Sequence, residues 1–224
     1  MAHYEIEIKS LLGGKENAEA LLAKMRAADA GTVLTSSNTQ LNHYFEGGDV
    51  AALFELTKEF FNTKEREKFA LMIEKGTGFS VRTRQKDDVA YLVLKASVDG
   101  GTSSNTVSRL EFEEAVPISL EELDGKVRGA GFTYQAKWSR TREEYAYKGA
   151  NVCLDRNAGY GYLAEFEKIV PEEGMIEGAR REIEELMQEL GVEELSQERL
   201  ARMFDFYNKN WPEYYGTEKV FSIE

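Results

Sequence analysis

The chain has 224 residues, of which 42% are apolar and 30% charged, so it can bury a sizeable core as one large domain or two small ones. Its formal net charge of −12 excludes a general nucleic-acid binder and a protein that binds anionic membranes through charge. With no apolar run of about 18 residues, no signal-peptide pattern and a single cysteine, we expect a cytoplasmic protein without a disulfide framework.

Strand and helix patterns alternate in the first part of the chain. A strand from Tyr4 to Lys9 precedes a helix from Lys15 to Ala30, because apolar residues there recur at helical spacing. The segment Thr39 to Glu46 has the pattern of a second strand. A largely helical stretch follows at about 50–75. This region is therefore predicted to contribute two strands and the helices that cover them.

Strand patterns dominate the next part of the chain, interrupted by one helix from Pro117 to Gly129. The predicted strands cover residues 79–85, 90–97, 107–116, 135–147, 151–155 and 161–170. Helical patterns return at 176–190 and 197–207. The sum is eight strands in one α+β domain whose sheet curls toward closure and whose helices cover one side or an end. The predicted domain spans 1–224, with a core at about 3–170, a helical insert at about 50–75 and a helical C-terminal extension at about 171–224.

Charged residues alternate with apolar residues along the first strand. Glu5, Glu7 and Lys9 are separated by Ile6 and Ile8, so the three charges share one face of the strand and the isoleucines share the other. The same alternation occurs on other predicted strands, at Arg82, Arg84, Lys95, Arg109, Glu111, Glu113, Arg140, Arg142, Asp155, Glu165 and Glu167. The apolar faces are predicted to pack against helices.

A closed sheet with so many inward charges cannot enclose a dry core, because unpaired buried charge costs several kcal/mol. We therefore predict a hydrated, charge-lined interior. Arginine and lysine suit the oxygens of a polyphosphate, and carboxylates suit hard divalent cations that bridge to phosphate. Two histidines are too few for a zinc site. The alternative is that these charges form cross-strand ion pairs on a solvated sheet face.

The run Glu5-Ile6-Glu7-Ile8-Lys9 resembles the N-terminal Glu-x-Glu-x-Lys signature of CYTH-domain proteins, the triphosphate tunnel metalloenzymes. The other charged strand residues occur in that family's order, and the resemblance covers about residues 3–170. It implies an eight-stranded antiparallel closed β-barrel with flanking helices, one or two Mg²⁺ or Mn²⁺ ions and a substrate that bears a triphosphate. Members of the family include class IV adenylate cyclases, thiamine triphosphatases and inorganic triphosphatases.

The resemblance also implies roles for individual residues. The implied triphosphate-binding residues are Lys9, Arg82, Arg84, Lys95, Arg109, Arg140 and Arg142. The implied metal ligands are Glu5, Glu7, Glu111, Glu113, Asp155, Glu165 and Glu167. Within these sets, the residues expected to act in catalysis are Glu5, Glu7, Lys9 and Glu167.

Three functions are compatible with this pattern. The first is metal-dependent hydrolysis of the terminal phosphate of inorganic triphosphate, thiamine triphosphate or a nucleoside triphosphate. The second is a class IV adenylate cyclase, which needs an adenine pocket to which no residue can be assigned. The third is a non-catalytic polyphosphate- or nucleotide-binding module. The expected partner is a small triphosphate-bearing molecule, not a nucleic acid or a membrane, and the expected state is a monomer or homodimer.

Overall fold

A computed structural model describes residues 4–97 and 109–223 of the chain. The strands are β1 (Tyr4–Gly13), β2 (Val33–Gly47), β3 (Thr77–Lys86), β4 (Val89–Ser97), β5 (Arg109–Val116), β6 (Phe132–Tyr147), β7 (Ala150–Asn157) and β8 (Gly161–Val170). The helices are α1 (Lys15–Ala28), α2 (Val50–Thr57), α3 (Thr63–Lys75), α4 (Leu120–Gly129), α5 (Ile176–Leu190) and α6 (Gln197–Tyr214). Short 3₁₀ turns cover Lys58–Phe60 and Glu173–Met175. The eight predicted strands are therefore confirmed, and the first two residues of the strand predicted at 107–116 lie outside the described residues. None of the described helices is long and apolar enough to cross a membrane.

The strands form one antiparallel sheet in the order β1-β8-β7-β6-β2-β3-β4-β5. In a closed barrel the first and last strands of this order would pair with each other. Among the described residues β1 and β5 do not pair, so the predicted closed barrel is wrong and the sheet is open. Closure depends on strand tilt and stagger around the whole sheet. Alternating charge reports only which face a side chain occupies, and it says nothing about whether the edges meet.

The chain divides into two compact units, and β2 and β6 run from one unit into the other. Unit 1 consists of Met1–Thr39 and Ser139–Glu224, and unit 2 of Gln40–Trp138. In unit 1, the apolar side chains of the strands pack against helices α1 and α5. This core includes Ile6, Ile8, Leu21, Met25, Leu154, Phe166, Ile183 and Leu190. The prediction that the apolar strand faces pack against helices is confirmed here.

The core of unit 2 is centred on three aromatic rings. Phe112 of β5 lies 5.0 Å from Phe61 and 4.9 Å from Phe69, measured between ring centroids, and all three side chains are buried. The helices α2 to α4 supply much of this core. A capping box between Asn62 and Glu65 begins α3 and satisfies backbone N–H groups that the helix itself cannot. The helical insert predicted at 50–75 is therefore part of the core of unit 2.

Candidate functional site

The predicted charged residues of unit 1 occupy one face of the paired strands β1, β8, β7 and β6. Lys9 lies opposite Glu165 and Glu7 lies opposite Glu167 in the β1–β8 register. Arg142 lies opposite Asp155 in the β6–β7 register. Because residues directly opposite each other on antiparallel strands share a face, the register brings these charges together.

Asp155 is the most deeply buried member of this group, with a fully buried side chain. It accepts hydrogen bonds from Arg142 Nε at 2.7 Å and Arg142 Nη2 at 2.5 Å, and from Arg140 Nη1 at 2.9 Å. The bidentate contact holds the plane of the Arg142 guanidinium group, which also contacts Glu165. Asp155 therefore fixes the position of two arginines.

Lys9 extends these contacts toward solvent. Its Nζ lies 3.2 Å from Glu165 Oε1 and also contacts Glu7. We call the resulting series the ion-pair chain; its members in order of contact are Glu7, Lys9, Glu165, Arg142, Asp155 and Arg140. Three carboxylates alternate with three cations, so the formal charge of the ion-pair chain is zero.

The charges of the ion-pair chain perturb one another strongly. Burial alone would raise the pKa of Glu165, but the positive charges of Lys9 and Arg142 outweigh it and lower the pKa to about 2. Burial would likewise lower the pKa of Arg142, and its contacts with Asp155 and Glu165 raise it instead. Both groups are therefore ionised at neutral pH.

Glu5 and Glu167 lie outside the ion-pair chain. Among the described residues neither carboxylate forms an ion pair, and Glu167 accepts only a 3.3 Å hydrogen bond from Asn151 Nδ2. Burial and the negative charge of Glu5 raise the pKa of Glu167 above its ordinary value. These two carboxylates therefore bring to the face negative charge that no ion pair among the described residues balances.

This carboxylate pair can serve as part of a metal site. Within residues 4–97 and 109–223, no three His, Cys, Asp or Glu side chains are arranged to hold a metal ion. Mg²⁺, however, keeps several water ligands and binds through one or two carboxylates together with substrate phosphates. Glu5 and Glu167 fit that donor set, since a divalent cation would relieve the repulsion that raises the pKa of Glu167.

Unit 2 carries a second set of predicted residues, on β3, β4 and β5. Arg84 Nη1 lies 2.5 Å from Glu113 Oε1, and Lys95 Nζ lies 2.9 Å from Glu111 Oε1. The Arg109 residue begins β5, but its side chain lies outside the described part of the structure. The cross-strand ion pairs that the sequence left open as an alternative are thus present on this face.

Arg82 differs from Arg84, since it makes no ion pair with the described carboxylates. Its Nη1 donates to the Tyr44 hydroxyl at 2.7 Å, and its guanidinium group lies 5.2 Å from the centroid of the Tyr44 ring. Its Nε is buried and finds no hydrogen-bond acceptor in the part of the chain that the structure describes. A buried donor without an acceptor is costly, so the Arg82 guanidinium group is suited to an oxygen supplied by a ligand.

Sequence reasoning missed several polar residues on the charged faces. Tyr44 and Asn42 of β2 contact Arg82 and Arg84, and Asn151 of β7 contacts Glu167. All three obey the same alternation as the charged residues. They carry no charge, however, so a search for alternating charge passes over them. A search for any polar residue at alternate positions would have found them.

The matching family is the CYTH domain, and it covers residues 3–201. The chain therefore belongs to the CYTH family, as the motif resemblance predicted. This family includes adenylate cyclases and triphosphatases.

Solved structures with the same fold come from archaea, bacteria and plants. The PH1819 protein of Pyrococcus horikoshii is 23% identical, with a TM-score of 0.58 over 87% of this chain and 94% of its own. A candidate adenylate cyclase of Vibrio parahaemolyticus is 13% identical, with a TM-score of 0.58 over 92% and 99%. HpAC1 from Hippeastrum, a candidate adenylyl cyclase with a dominant triphosphatase activity, is 16% identical, with a TM-score of 0.51 over 92% and 96%. No curated protein matches the sequence significantly.

Proposed function

We propose that this CYTH protein is a divalent-metal-dependent triphosphatase that hydrolyses the terminal phosphate of a small triphosphate substrate. The observation that carries the proposal is the juxtaposition, on one face of unit 1, of a charge-balanced ion-pair chain and the unbalanced carboxylates Glu5 and Glu167. Fixed cations suit phosphate oxygens, and unbalanced carboxylates suit Mg²⁺ or Mn²⁺.

In this proposal Glu5 and Glu167 supply the carboxylate oxygens that hold one ion. A bound divalent cation would neutralise phosphate charge and lower the pKa of a water molecule. Glu7 lies opposite Glu167 in the register, so its carboxylate can accept the proton of a water held beside Glu167. A second ion would need further ligands, for which Asp155 and Glu165 are candidates only if they release their arginines.

The cations of each unit, taken by itself, have a proposed role in binding phosphate. In unit 1, Arg142 is held by two carboxylates and needs no reorganisation when charge develops on phosphate oxygens. Lys9 is the most exposed cation of the ion-pair chain and can turn toward an entering phosphate. In unit 2, we assign phosphate binding to Arg82, Arg84 and Lys95.

Hydrolysis is favoured over cyclisation by the comparison with HpAC1. That protein is a candidate cyclase with a dominant triphosphatase activity, and this chain shares its fold. A cyclase must also place an adenosine so that its 3′-hydroxyl attacks the α-phosphorus. The charged face of unit 1 offers ionic groups for a triphosphate. We assign none of its described residues to the recognition of an adenine base.

A product assay tests the proposal. The purified protein is incubated with Mg²⁺ or Mn²⁺ and, separately, with inorganic triphosphate, thiamine triphosphate and ATP, and the products are resolved by phosphorus NMR. Orthophosphate with a diphosphate product is expected. Cyclic AMP with pyrophosphate would establish a cyclase, and tight triphosphate binding without turnover would establish a binding module; either result would overturn the proposal.

Variants then test the site itself. Glu5→Gln, Glu7→Gln and Glu167→Gln are each expected to lower metal-dependent turnover by more than the roughly 10- to 100-fold loss typical of an outer-shell partner. The matched control is Glu182→Gln, which removes an exposed carboxylate that pairs with Lys168 on the same unit. Unchanged turnover in all three site variants would show that catalysis does not use this face.

A further inference from the structure

A buried polar network lies in unit 2, on the face of strands β2 and β3 opposite to Arg82 and Arg84. Asp124 of α4 is 4% exposed and accepts three hydrogen bonds. Thr83 Oγ1 donates to Asp124 Oδ1 at 2.6 Å, and the Tyr134 hydroxyl donates to Oδ2 at 2.6 Å. His43 Nδ1 lies 2.7 Å from the same Oδ2, and because an ionised carboxylate can only accept, Nδ1 is the donor of this bond. Thus Asp124 binds residues of three different strands.

The network keeps a carboxylate ionised in a place where an apolar residue would fill the space. Burial alone would raise the pKa of Asp124, but the hydrogen bonds from His43, Thr83 and Tyr134 outweigh it and hold the pKa below its ordinary value. A buried ionised group seldom adds net stability compared with a well-packed apolar one. Its three defined bonds can instead specify one arrangement of the strands that it joins.

The register of β2 and β3 connects this network to the arginines. His43 lies opposite Thr83, and the flanking pairs are Asn42 opposite Arg84 and Tyr44 opposite Arg82. Because side chains alternate along a strand, His43 and Thr83 point to the helices while their neighbours point to the charged face. Arg84 Nε donates to Asn42 Oδ1 at 2.9 Å, so β2 and β3 are linked by side chains on the charged face. Asp124 links the same two strands on the opposite face.

We propose that Asp124 is a positioning residue that acts through Thr83 and His43 to set Arg82 and Arg84 in the geometry that binds phosphate. This inference rests on the proposed triphosphate-binding function. Asp124 links β2 and β3 through its bonds to His43 and Thr83, which lie opposite each other. This pair lies between the pairs Asn42–Arg84 and Tyr44–Arg82 in the register. A displacement of about 1 Å at a binding group is enough to impair phosphate recognition. The bonds of Asp124 therefore affect the arginines on the opposite face of the sheet.

The first test measures the hydrogen bonding of Arg84 in the absence of any ligand. In protein with ¹⁵N-labelled arginine, NMR measures hydrogen exchange at Arg84 Nε, which the bond to Asn42 slows in the wild type. Asp124→Asn and the milder Thr83→Val are expected to accelerate this exchange several-fold. The matched control is Leu123→Ala, which removes a fully buried apolar side chain of the same helix and costs stability without breaking the network. It is expected to leave the Arg84 exchange unchanged under folded conditions.

The second test measures the dissociation constant of inorganic triphosphate, together with KM and kcat where turnover occurs. We expect Asp124→Asn to weaken binding about tenfold, chiefly as a rise in KM. In the Arg82→Ala/Arg84→Ala background the same substitution is expected to have no further effect, since the groups it positions are gone. A loss caused only by lower stability would appear in both backgrounds and in Leu123→Ala.

The outcomes separate this inference from the proposed function. Unchanged Arg84 exchange in both Asp124→Asn and Thr83→Val, or an equal change in Leu123→Ala, would overturn the positioning role. Full additivity with the double arginine variant would also overturn it. If the wild type bound no triphosphate while Arg84 exchange still responded to Asp124→Asn, the proposed function would fail and the structural coupling would stand.

Discussion

The substitution Asp155→Asn tests whether the ion-pair chain of unit 1 is held together as the structure indicates. Asparagine has nearly the same shape as aspartate but removes the charge. With its amide oxygen in the Oδ2 position, it can keep two of the three hydrogen bonds, those from Arg140 Nη1 and Arg142 Nη2, and it loses the bond from Arg142 Nε. Its NH₂ group would face a guanidinium group, which also only donates.

The expected cost follows from burial. Breaking a buried ion pair by removing one partner costs about 3–5 kcal/mol, because the remaining charge stays buried. Arg142 keeps its contact with Glu165, and two hydrogen bonds to the asparagine oxygen can survive, so we expect the lower end of that range, about 3 kcal/mol. For a chain of this size, about 2–4 °C of melting temperature corresponds to each kcal/mol, which gives a fall of about 6–12 °C.

Urea unfolding followed by circular dichroism measures this change in free energy. The matched control is Glu189→Gln, which removes an ion pair with Lys148 at 2.6 Å in the same unit, with side chains that are 43% and 33% exposed. Such a surface pair contributes at most about 1 kcal/mol. If Asp155→Asn cost no more than Glu189→Gln, the argument that burial makes the ion-pair chain rigid would be refuted.

Three further predictions concern charge and backbone geometry in unit 1. Glu167→Gln should raise the melting temperature measured in chelator, because it removes the burial cost and the repulsion from Glu5 that raise the pKa of Glu167; a lower melting temperature would contradict this. The folded-state pKa of Glu165, about 2, lies below its usual 4.5, so its contribution to folding stability is present above pH 4.5 and is lost as the pH falls toward 2. Acid titration should therefore show a smaller loss of stability in Glu165→Gln than in the wild type. Gly161 and Gly149 have φ of 74° and 76°, but only at Gly161 would a Cβ meet backbone, 2.6 Å from the Gly13 oxygen. Gly149→Ala should therefore cost about 1–2 kcal/mol and Gly161→Ala clearly more, and equal costs in urea unfolding would exclude the steric contribution.

Period-two alternation allowed much of the sheet to be predicted, because it fixes both the strand and the face of each residue. The face assignments of Ile6, Phe112 and Phe166 are confirmed by their place in the helix-packed cores. Strand β2 begins six residues before the predicted Thr39, because its first part is short of apolar residues and lacks a clear alternation. The prediction of a closed barrel was wrong for a different reason. Pairing between edge strands is a long-range property that no local pattern encodes.

The sequence predicted the face of the charged strand residues, but it could not predict which of them contact each other. Which carboxylate meets which cation depends on strand register, and a shift of one residue changes every pair. The sequence grouped Asp155 with the metal ligands, whereas the structure places it between two arginines. Asp124 and Thr83 escaped notice because one acidic residue among several in a helix, and a threonine between two arginines, carry no recognisable pattern.

The charge balance of unit 1 gives a reason to look for a cation rather than only for an anionic substrate. The ion-pair chain is neutral, so Glu5, Glu167 and Glu144, which lies opposite Cys153 on the same face, leave the face with surplus negative charge. A bare triphosphate would be repelled by that surplus, whereas a divalent cation would cancel it and then attract phosphate. Because a ligand that binds only the folded state stabilises it, Mg²⁺ or Mn²⁺ should raise the melting temperature of the wild type and should have little effect on Glu167→Gln. An equal rise in both proteins would place the cation elsewhere and would remove the main argument for a metal at this carboxylate pair.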